Sequence, residues 1–535
     1  MSSNCTRDGR MASAGHAMAR ATMIMMIALI ASKVTGQLRD IIAVNRFGGS
    51  GALSDAYFQG FLIPDFIYEI LIGGSIQAAI VPTLSGALGT EKERSVWRSV
   101  SVFVSFFSTL MLATVAVCEV LAPVLMGAIA RPDVVALSTQ VARRLFPQTF
   151  FMMLAALCIG ILNAYQQFSR TAFGPVFYNS LVVSSLLIFG APNESAVRHA
   201  AIGITISAAA YFVFQAALGR RQLSRFRPSL DVRDDGFRRL LWLAVPTLIS
   251  SSIPQINNIV LNALMKTLPE GTPTLFKNAT TLWMLPWGVF AVAIGTVMLP
   301  ALSRSIEMGD HRTASRLLSR SLNRALFLNM PCAFIFLFLR NDVVRAVFKW
   351  SAAYTEADVV TAGNLLGWFC LTIITHTFVS LLNQAFYAAK KTFMPLINSA
   401  ISLALTTGFG ALLSRPSVLG ASGLSLGYAL GSLLGAVFMM AAYRRMMPAC
   451  APRRVLPFMI KALIACIAIV GVLAPVQILL DGVNPPGKLA QLAWLAARAL
   501  PALAVYGAVA HWMDMREMHE LTASIQAKFK LTRSR

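Results

Sequence analysis

The sequence predicts an all-α polytopic membrane protein of about 14 transmembrane helices, built as two pseudo-symmetric six-helix lobes plus two C-terminal helices. Three observations carry that expectation. Hydrophobic residues make up 56% of the 535-residue chain and charged residues only 13%, about half the charged share of a soluble protein. Apolar runs of about 20 residues recur along almost the whole length, enough for a helix to cross the hydrocarbon core. Short motifs also repeat at an offset of about 220 residues. No room is left for a sizeable soluble domain.

In order, the predicted spans cover residues 21–44, 54–83, 98–126, 143–165, 171–192, 197–218, 238–264, 274–302, 321–341, 360–389, 393–414, 418–443, 455–480 and 487–512. The first apolar run, from Ala21, lacks a small-residue cleavage site and outlasts a signal-peptide core. It is read as a span. The formal net charge is +23, and the bases are unevenly placed. The N-terminal tail, the even-numbered loops and the C-terminal tail hold roughly three times the Lys and Arg of the odd-numbered loops. Lys92 to Arg98, Arg220 to Arg239, Arg304 to Arg324 and Arg444 to Arg454 are the richest stretches. The positive-inside rule then places both termini in the cytoplasm, in a multi-pass protein of the cytoplasmic (inner) membrane. It also accounts for the charge without a nucleic-acid partner. Seven scattered cysteines form no CxxC or Cys/His cluster, so no disulfide framework, metal site or cofactor is expected.

The repeat defines the domains. Leu162-Asn163 is followed by Phe173 and Pro175 as Leu382-Asn383 is followed by Phe393 and Pro395, and Pro82-Thr83-Leu84-Ser85 echoes Pro300-Ala301-Leu302-Ser303. Six spans separate the copies, so both halves share one orientation, an arrangement found in rocking transporters. The expected division is an N-terminal lobe at 1–218, a basic cytoplasmic linker at 219–239, a C-terminal lobe at 240–443, and two added spans with a tail at 444–535. The linker's Asp231, Asp234 and Asp235 are read as acids buffering a solvated basic loop that serves as a hinge.

The first span carries the strongest chemical signal. Ser32, Lys33, Gly36, Arg39, Asp40 and Ala43 fall within an arc of about 120° on an otherwise apolar helix. A charge at that depth costs a few kcal/mol, so such residues face a wet cavity or a partner. One reading is an Arg39–Asp40 or Lys33–Asp40 pair that staples helices. The other uses the cation left over from that pairing to hold phosphate, for which Arg and Lys are the natural donors. In the second span, Pro64 and Gly73-Gly74 predict a bent or unwound helix. Asp65 and Glu69, four residues apart on one face, could hold a cation, answer the first-span bases, or simply pack. Asn257, Asn258 and Asn262 are expected to hydrogen-bond between helices, His376 to be a packing residue, and Lys277 to snorkel or reach inward. Glu119, near the outer end of the third span, is a weaker signal. No Walker A, G-x-S-x-G or H-E-x-x-H motif is present, so no catalytic residue is expected.

At these residues the chain resembles the MurJ (MviN) family of lipid II flippases, in the MOP superfamily that includes MATE drug exporters. The resemblance runs through Ser32-Lys33-x-x-Gly36-x-x-Arg39-Asp40, Arg46-Phe47-Gly48, Asp55-Ala56-Tyr57-Phe58, Ile63-Pro64, Phe173-x-Pro175-x-x-x-Asn179, Pro286-x-Gly288-Val289 and Ala385-Phe386-Tyr387-Ala388. It implies a transporter, not an enzyme, that moves undecaprenyl-pyrophosphate-linked peptidoglycan precursor outward by alternating access. It also implies a lipid-tail groove at the two added spans, and membrane lipids and cell-wall synthesis proteins as partners. The family's cationic pair carries over to Lys33 and Arg39, with Asp40 beside it, and the acid opening the second span to Asp55. Two family arginine positions hold Tyr68 and Thr281, with Lys277 one turn before the latter as a compensating base. The family's sodium site uses an acid in span seven, where this chain has asparagines, which argues against sodium coupling. Competing readings are another lipid-linked oligosaccharide flippase, a MATE-like multidrug/cation antiporter, or a membrane glycosyltransferase. The basic arc opposes a cation exporter, and the short outer loops oppose a transferase.

Overall fold

The computed structural model describes residues 27–28, 31–72, 79–452, 455–479, 485 and 487–533. Among these it is helical, with no strand. The start of the first predicted span and Gly73-Gly74 lie outside the described residues. Helix α1 covers 31–46. The second span divides into α2 (Ala52–Gly60), α3 (Leu62–Ile72) and α4 (Val81–Ala87), followed by α5 (Glu93–Ile129), α6 (Val135–Ala164) and the single turn α7 (Phe168–Thr171). Then come α8 (Gly174–Phe189), α9 (Glu194–Leu218), α10 (Arg220–Leu223), α11 (Asp235–Leu264), α12 (Thr272–Pro286) and α13 (Val292–Glu307). The remainder is α14 (His311–Phe338), α15 (Arg340–Phe348), α16 (Glu356–Ala388), α17 (Phe393–Leu413), α18 (Ala421–Met446), α19 (Val455–Leu479), α20 (Lys488–Trp512) and α21 (Arg516–Arg533). Ten helices among the described residues are long and apolar enough to cross a membrane. Helices also occupy the other four predicted spans, but α1 is described only in part, α2–α4 are interrupted, α8 has 16 residues, and α11 is not among the ten.

Proline chemistry explains the interruptions. The second span breaks at Phe61, three residues before Pro64, and Asp65 N–H restarts the ladder on Phe61 O at 2.9 Å. Pro64 has no N–H to give, so the break falls where a hydrogen bond would be missing anyway. Pro286 acts similarly: a π-helical turn, Trp287–Ala291, joins α12 to α13 immediately after it.

The chain divides into two compact units, Met1–Pro273 and Thr274–Arg535. In the first, the core gathers on α5 and α6, where Phe103, Leu145 and Phe146 are fully buried. In the second, α18 lies unusually close to α17. Gly423, Gly427, Gly431 and Gly435 recur every fourth residue and form one stripe. A Cβ on Gly427 would sit 2.6 Å from Gly410 N, and one on Gly431 2.7 Å from Thr406 N. Small residues let helices in lipid gain packing contacts that water cannot drive them to make. The sequence repeat has a packing basis as well: Leu84 and Leu302 are both fully buried, as are Leu162 and Leu382.

The basic linker keeps Arg220, Arg221, Arg225, Arg227 and Arg233 exposed to solvent, while its acids and backbone dock it as a strap on α5. Asp234 caps α11 by accepting from Phe237 N–H at 2.7 Å, and it accepts from Ser99 Oγ at 2.6 Å. Arg98 Nη2 reaches Asp231 at 2.9 Å, while Ser101 and Ser105 accept from the backbone N–H groups of Arg227 and Ser229, both at 3.2 Å. Arg225 pairs with Glu93 and donates to Tyr165 OH at 2.7 Å. The acids and hydroxyls that line this strap pin it along the first turns of α5. Residues 235–239 already belong to α11.

Candidate substrate-binding site

The first span resolves its own ambiguity. Arg39 Nε donates to Asp40 Oδ1 at 2.9 Å, and Arg39 Nη2 lies 2.9 Å from the same oxygen. A Lys33–Asp40 pair does not form, because seven helical residues separate their backbones by about 10 Å. The Arg39 side chain is 27% exposed and that of Asp40 only 8%. Two of the five guanidinium donors are engaged there, and Nη1 has no partner among the described residues. Lys33 is exposed and has no ion pair or hydrogen bond among the described residues. One acid thus answers one base, and Lys33 remains as the surplus positive charge.

Helix α8 steadies this face. Asn179 Nδ2 donates to Ser32 O at 3.2 Å and approaches Thr35 Oγ1 at 3.5 Å. Its neighbour Tyr178 accepts from Gln148 Nε2 at 3.1 Å. Reading the sequence for charge overlooked Asn179 as a support of the first span, although it closes a recurring family motif. It also overlooked Gln37 and Gln59, whose buried amides have no partner. A neutral amide in an apolar run gives little signal by itself.

Asp55 is placed differently. It is fully buried, and its Oδ2 accepts from Gly271 N–H at 2.8 Å. Alongside, Glu270 Oε1 accepts from Ala52 N–H at 2.7 Å. Arg131 Nη1 donates to Leu268 O at 3.1 Å, and Lys266 Nζ to Gly127 O at 2.6 Å. The turn after α11 is therefore fastened to the starts of α2 and α6 and to the end of α5. Gly271 adopts φ +82°, and a Cβ there would meet Ser50 O at 2.6 Å. Only glycine fits that corner without strain.

The other candidates are dispersed. Asp65 is exposed and Glu69 half-buried on α3, with Ser251 Oγ bonded to Glu69 O at 3.3 Å. Lys277 is exposed on α12, and Thr281, one turn on, donates to its carbonyl at 2.9 Å. Of the span-seven asparagines, Asn258 donates to Gln255 at 3.3 Å and Asn262 to Asn258 O at 2.9 Å. Both bonds lie within α11, a correction to the interhelical role expected of Asn258 and Asn262. Glu119 has Arg143 Nε 3.9 Å from its carboxylate. His376 packs among Trp283, Trp287 and Tyr428, with ring centroids 4.9, 5.9 and 5.8 Å away. No group of three or more His, Cys, Asp or Glu side chains among the described residues could hold a metal ion.

A bundle of long apolar helices whose first span carries a lysine and an arginine–aspartate pair, with Asp40 buried, defines a polytopic α-helical membrane transporter. The sequence model described as lipid II flippase MurJ matches residues 44–483. The chain belongs to that family. A probable lipid II flippase MurJ of Rhizobium tropici is 28% identical over 433 residues, covering 78% of this chain and 79% of that protein. One from Haemophilus influenzae is 24% identical, covering 92% and 99%. Among solved structures, a lipid II flippase MurJ in an inward closed conformation superposes with a TM-score of 0.75 at 20% identity, covering 92% of this chain and 98% of that one. An inward-facing multidrug resistance MATE family transporter of the MOP superfamily gives 0.66 at 17%, covering 80% and 98%. These two likenesses show the shared fold.

Proposed function

We propose that this protein is a lipid II flippase, carrying undecaprenyl-pyrophosphate-linked peptidoglycan precursor from the inner to the outer leaflet of the cytoplasmic membrane by alternating access. The observation that carries the reading is the uncompensated Lys33 beside an Arg39 only partly engaged by Asp40. A diphosphate offers several strong acceptors, and Arg and Lys supply charge-assisted donors to them. Asp40 holds the guanidinium in place until phosphate oxygens compete for it. Lys277 offers a separate cation in the second unit. An inside-negative potential favours outward movement of negative charge by about 2.3 kcal/mol per charge per 100 mV.

The polyprenyl tail stays in lipid beside α19 and α20, whose Ile467, Ile478, Leu489 and Leu500 are 57–85% exposed. Keeping the tail there avoids the cost of moving its apolar surface through water. Both termini lie in the cytoplasm by the charge bias. Residues 1–218 and 240–443 are the two repeated lobes, 219–239 the linker and 444–535 the addition, about 14 spans in all. Cell-wall synthesis proteins consume the product.

The test is a Lys33→Ala/Arg39→Ala double variant in cells depleted of their own flippase. It is expected to insert at normal abundance, to fail to support growth, and to leave lipid II inaccessible to an externally added probe. Full complementation by the double variant rejects the site.

A further inference from the structure

We propose that a basic cavity at the charged end of the second unit, walled by α14, α19 and the α20–α21 turn, binds the phosphate headgroup of an anionic membrane lipid. The cavity has a volume of about 710 Å³. Arg312, Arg316 and Arg320 line one wall. Their four-residue spacing on α14 puts them in a single stripe about 12 Å long. Lys461 and Arg516 line the other walls, and the acids among the lining residues are Asp514 and Glu517.

What separates this cluster from ordinary loop arginines is its pairing. Two of the nearby acids are engaged elsewhere, leaving Glu517 as the lining acid that faces five bases: Glu520 accepts from Arg324 Nε at 2.8 Å and from Arg516 Nε at 2.9 Å. Asp514 lies 2.8 Å from His519 Nε2. Lys461 spends one donor on Met513 O at 2.8 Å, which fixes its head at the rim. Arg312, Arg316 and Arg320 are all exposed and make no ion pair or side-chain hydrogen bond among the described residues. Asp310, which caps α14 by accepting from Thr313 N–H at 3.0 Å, also faces Arg316. Three guanidinium groups without an ion pair around one concavity still suit an acceptor-rich, multiply charged group, and phosphate is the geometry their planar forks match.

The surroundings point to a phosphate attached to a lipid. Leu456 and Ile460, within the first two turns of α19, are 67% and 54% exposed, and Trp512, at the end of α20, is 82% exposed. Exposed tryptophan and aliphatic side chains beside a basic pocket mark the boundary between acyl chains and headgroups. Phe458 and Pro457 give the pocket an apolar side. Basic pockets between membrane helices on the cytoplasmic side hold anionic headgroups by this combination. The leaflet rests on the orientation proposed above. The pocket itself does not.

The test uses the full-length protein in zwitterionic-lipid nanodiscs, which expose both faces, doped with phosphatidylglycerol. Lipids retained per protein are counted by native mass spectrometry. Wild type is expected to retain phosphatidylglycerol in preference to phosphatidylcholine. The Arg312→Gln/Arg316→Gln/Arg320→Gln variant is expected to bind it about 100-fold more weakly, at roughly fivefold per base. Arg316→Gln alone, a milder change, is expected to show the single step at an unchanged Tm. A control of equal charge loss, Arg304→Gln/Arg444→Gln/Arg445→Gln, is expected to behave as wild type. An equal loss in the control overturns the proposal, because it reduces the effect to diffuse membrane charge. Saturation of the pocket by inorganic pyrophosphate at the same affinity also overturns it, because the ligand is then a soluble anion.

Discussion

Asp40 and Asp55 are two acids that the sequence presents in the same light, and the fold separates them. Both sit in the first two spans, and both fall on family motifs. Asp40 stands beside a base, with Arg39 Nε at 2.9 Å. Asp55 faces a backbone N–H, that of Gly271 at 2.8 Å, with no exposed surface. The first arrangement can exchange partners, because a guanidinium keeps donors in reserve. The second cannot do so cheaply, because a buried N–H that loses its acceptor carries its full desolvation cost. An intramembrane carboxylate is therefore a substrate-site candidate when its partner is a mobile charge, and a clamp when its partner is main chain.

Breaking the clamp should give the largest effect. Gly271→Val forces a β-branched residue into φ +82° and against Ser50 O, and is expected to cost about 3 kcal/mol or more. The purified protein should lose several degrees in Tm, and cellular abundance should fall with it. Asp55→Ala is expected to cost about 1–3 kcal/mol through the orphaned Gly271 N–H. Transport per molecule should be retained. If Asp55→Asn is present at wild-type abundance and Tm yet cannot move lipid II, the clamp reading fails and Asp55 returns to the substrate site.

Asp40→Asn sharpens the other side of the comparison. It removes the charge but keeps the shape, so Tm should hold while transport changes, and a Tm loss matching that of Asp55→Ala would erase the distinction. The strap on α5 gives the smallest effect. Glu93 accepts from Gly89 N–H at 3.2 Å and faces Arg225 and Tyr165. These contacts hold its carboxyl below the usual carboxylate value of 4.5. A lowered folded-state value stabilises above the ordinary one and is lost as pH falls through it. The Tm difference between wild type and Glu93→Gln should be constant above about pH 4.5 and shrink in more acid buffer. A gap that widens on acidification contradicts the assignment.

Arginine content misleads in the same way as acid content. The bases of the Arg220–Arg239 stretch and those of Arg304–Arg324 look alike as charge runs, since the positive-inside bias fills both. In the first stretch, Arg225 is matched by Glu93, and Asp231 and Asp234 answer Arg98 from α5. In the second, the Arg312, Arg316 and Arg320 stripe makes no ion pair or side-chain hydrogen bond among the described residues, with only Asp310 facing Arg316.

Much of this protein was legible from its residues alone. Hydropathy and length fix the helical membrane class, because a chain in lipid must satisfy its backbone internally. Pro64 announced the broken second span, and the repeated Leu–Asn and Pro–x–Leu–Ser segments marked equivalent buried positions. Periodicity placed Lys33, Arg39 and Asp40 on one arc, since neighbours on a helix are a matter of angle. What only the tertiary structure decided is who answers whom. Asp55 meets Gly271 across 216 residues, and Ser99 meets Asp234 across 135. No local pattern encodes such separations. Whether a charge is spent or free depends on the partner that folding brings to it.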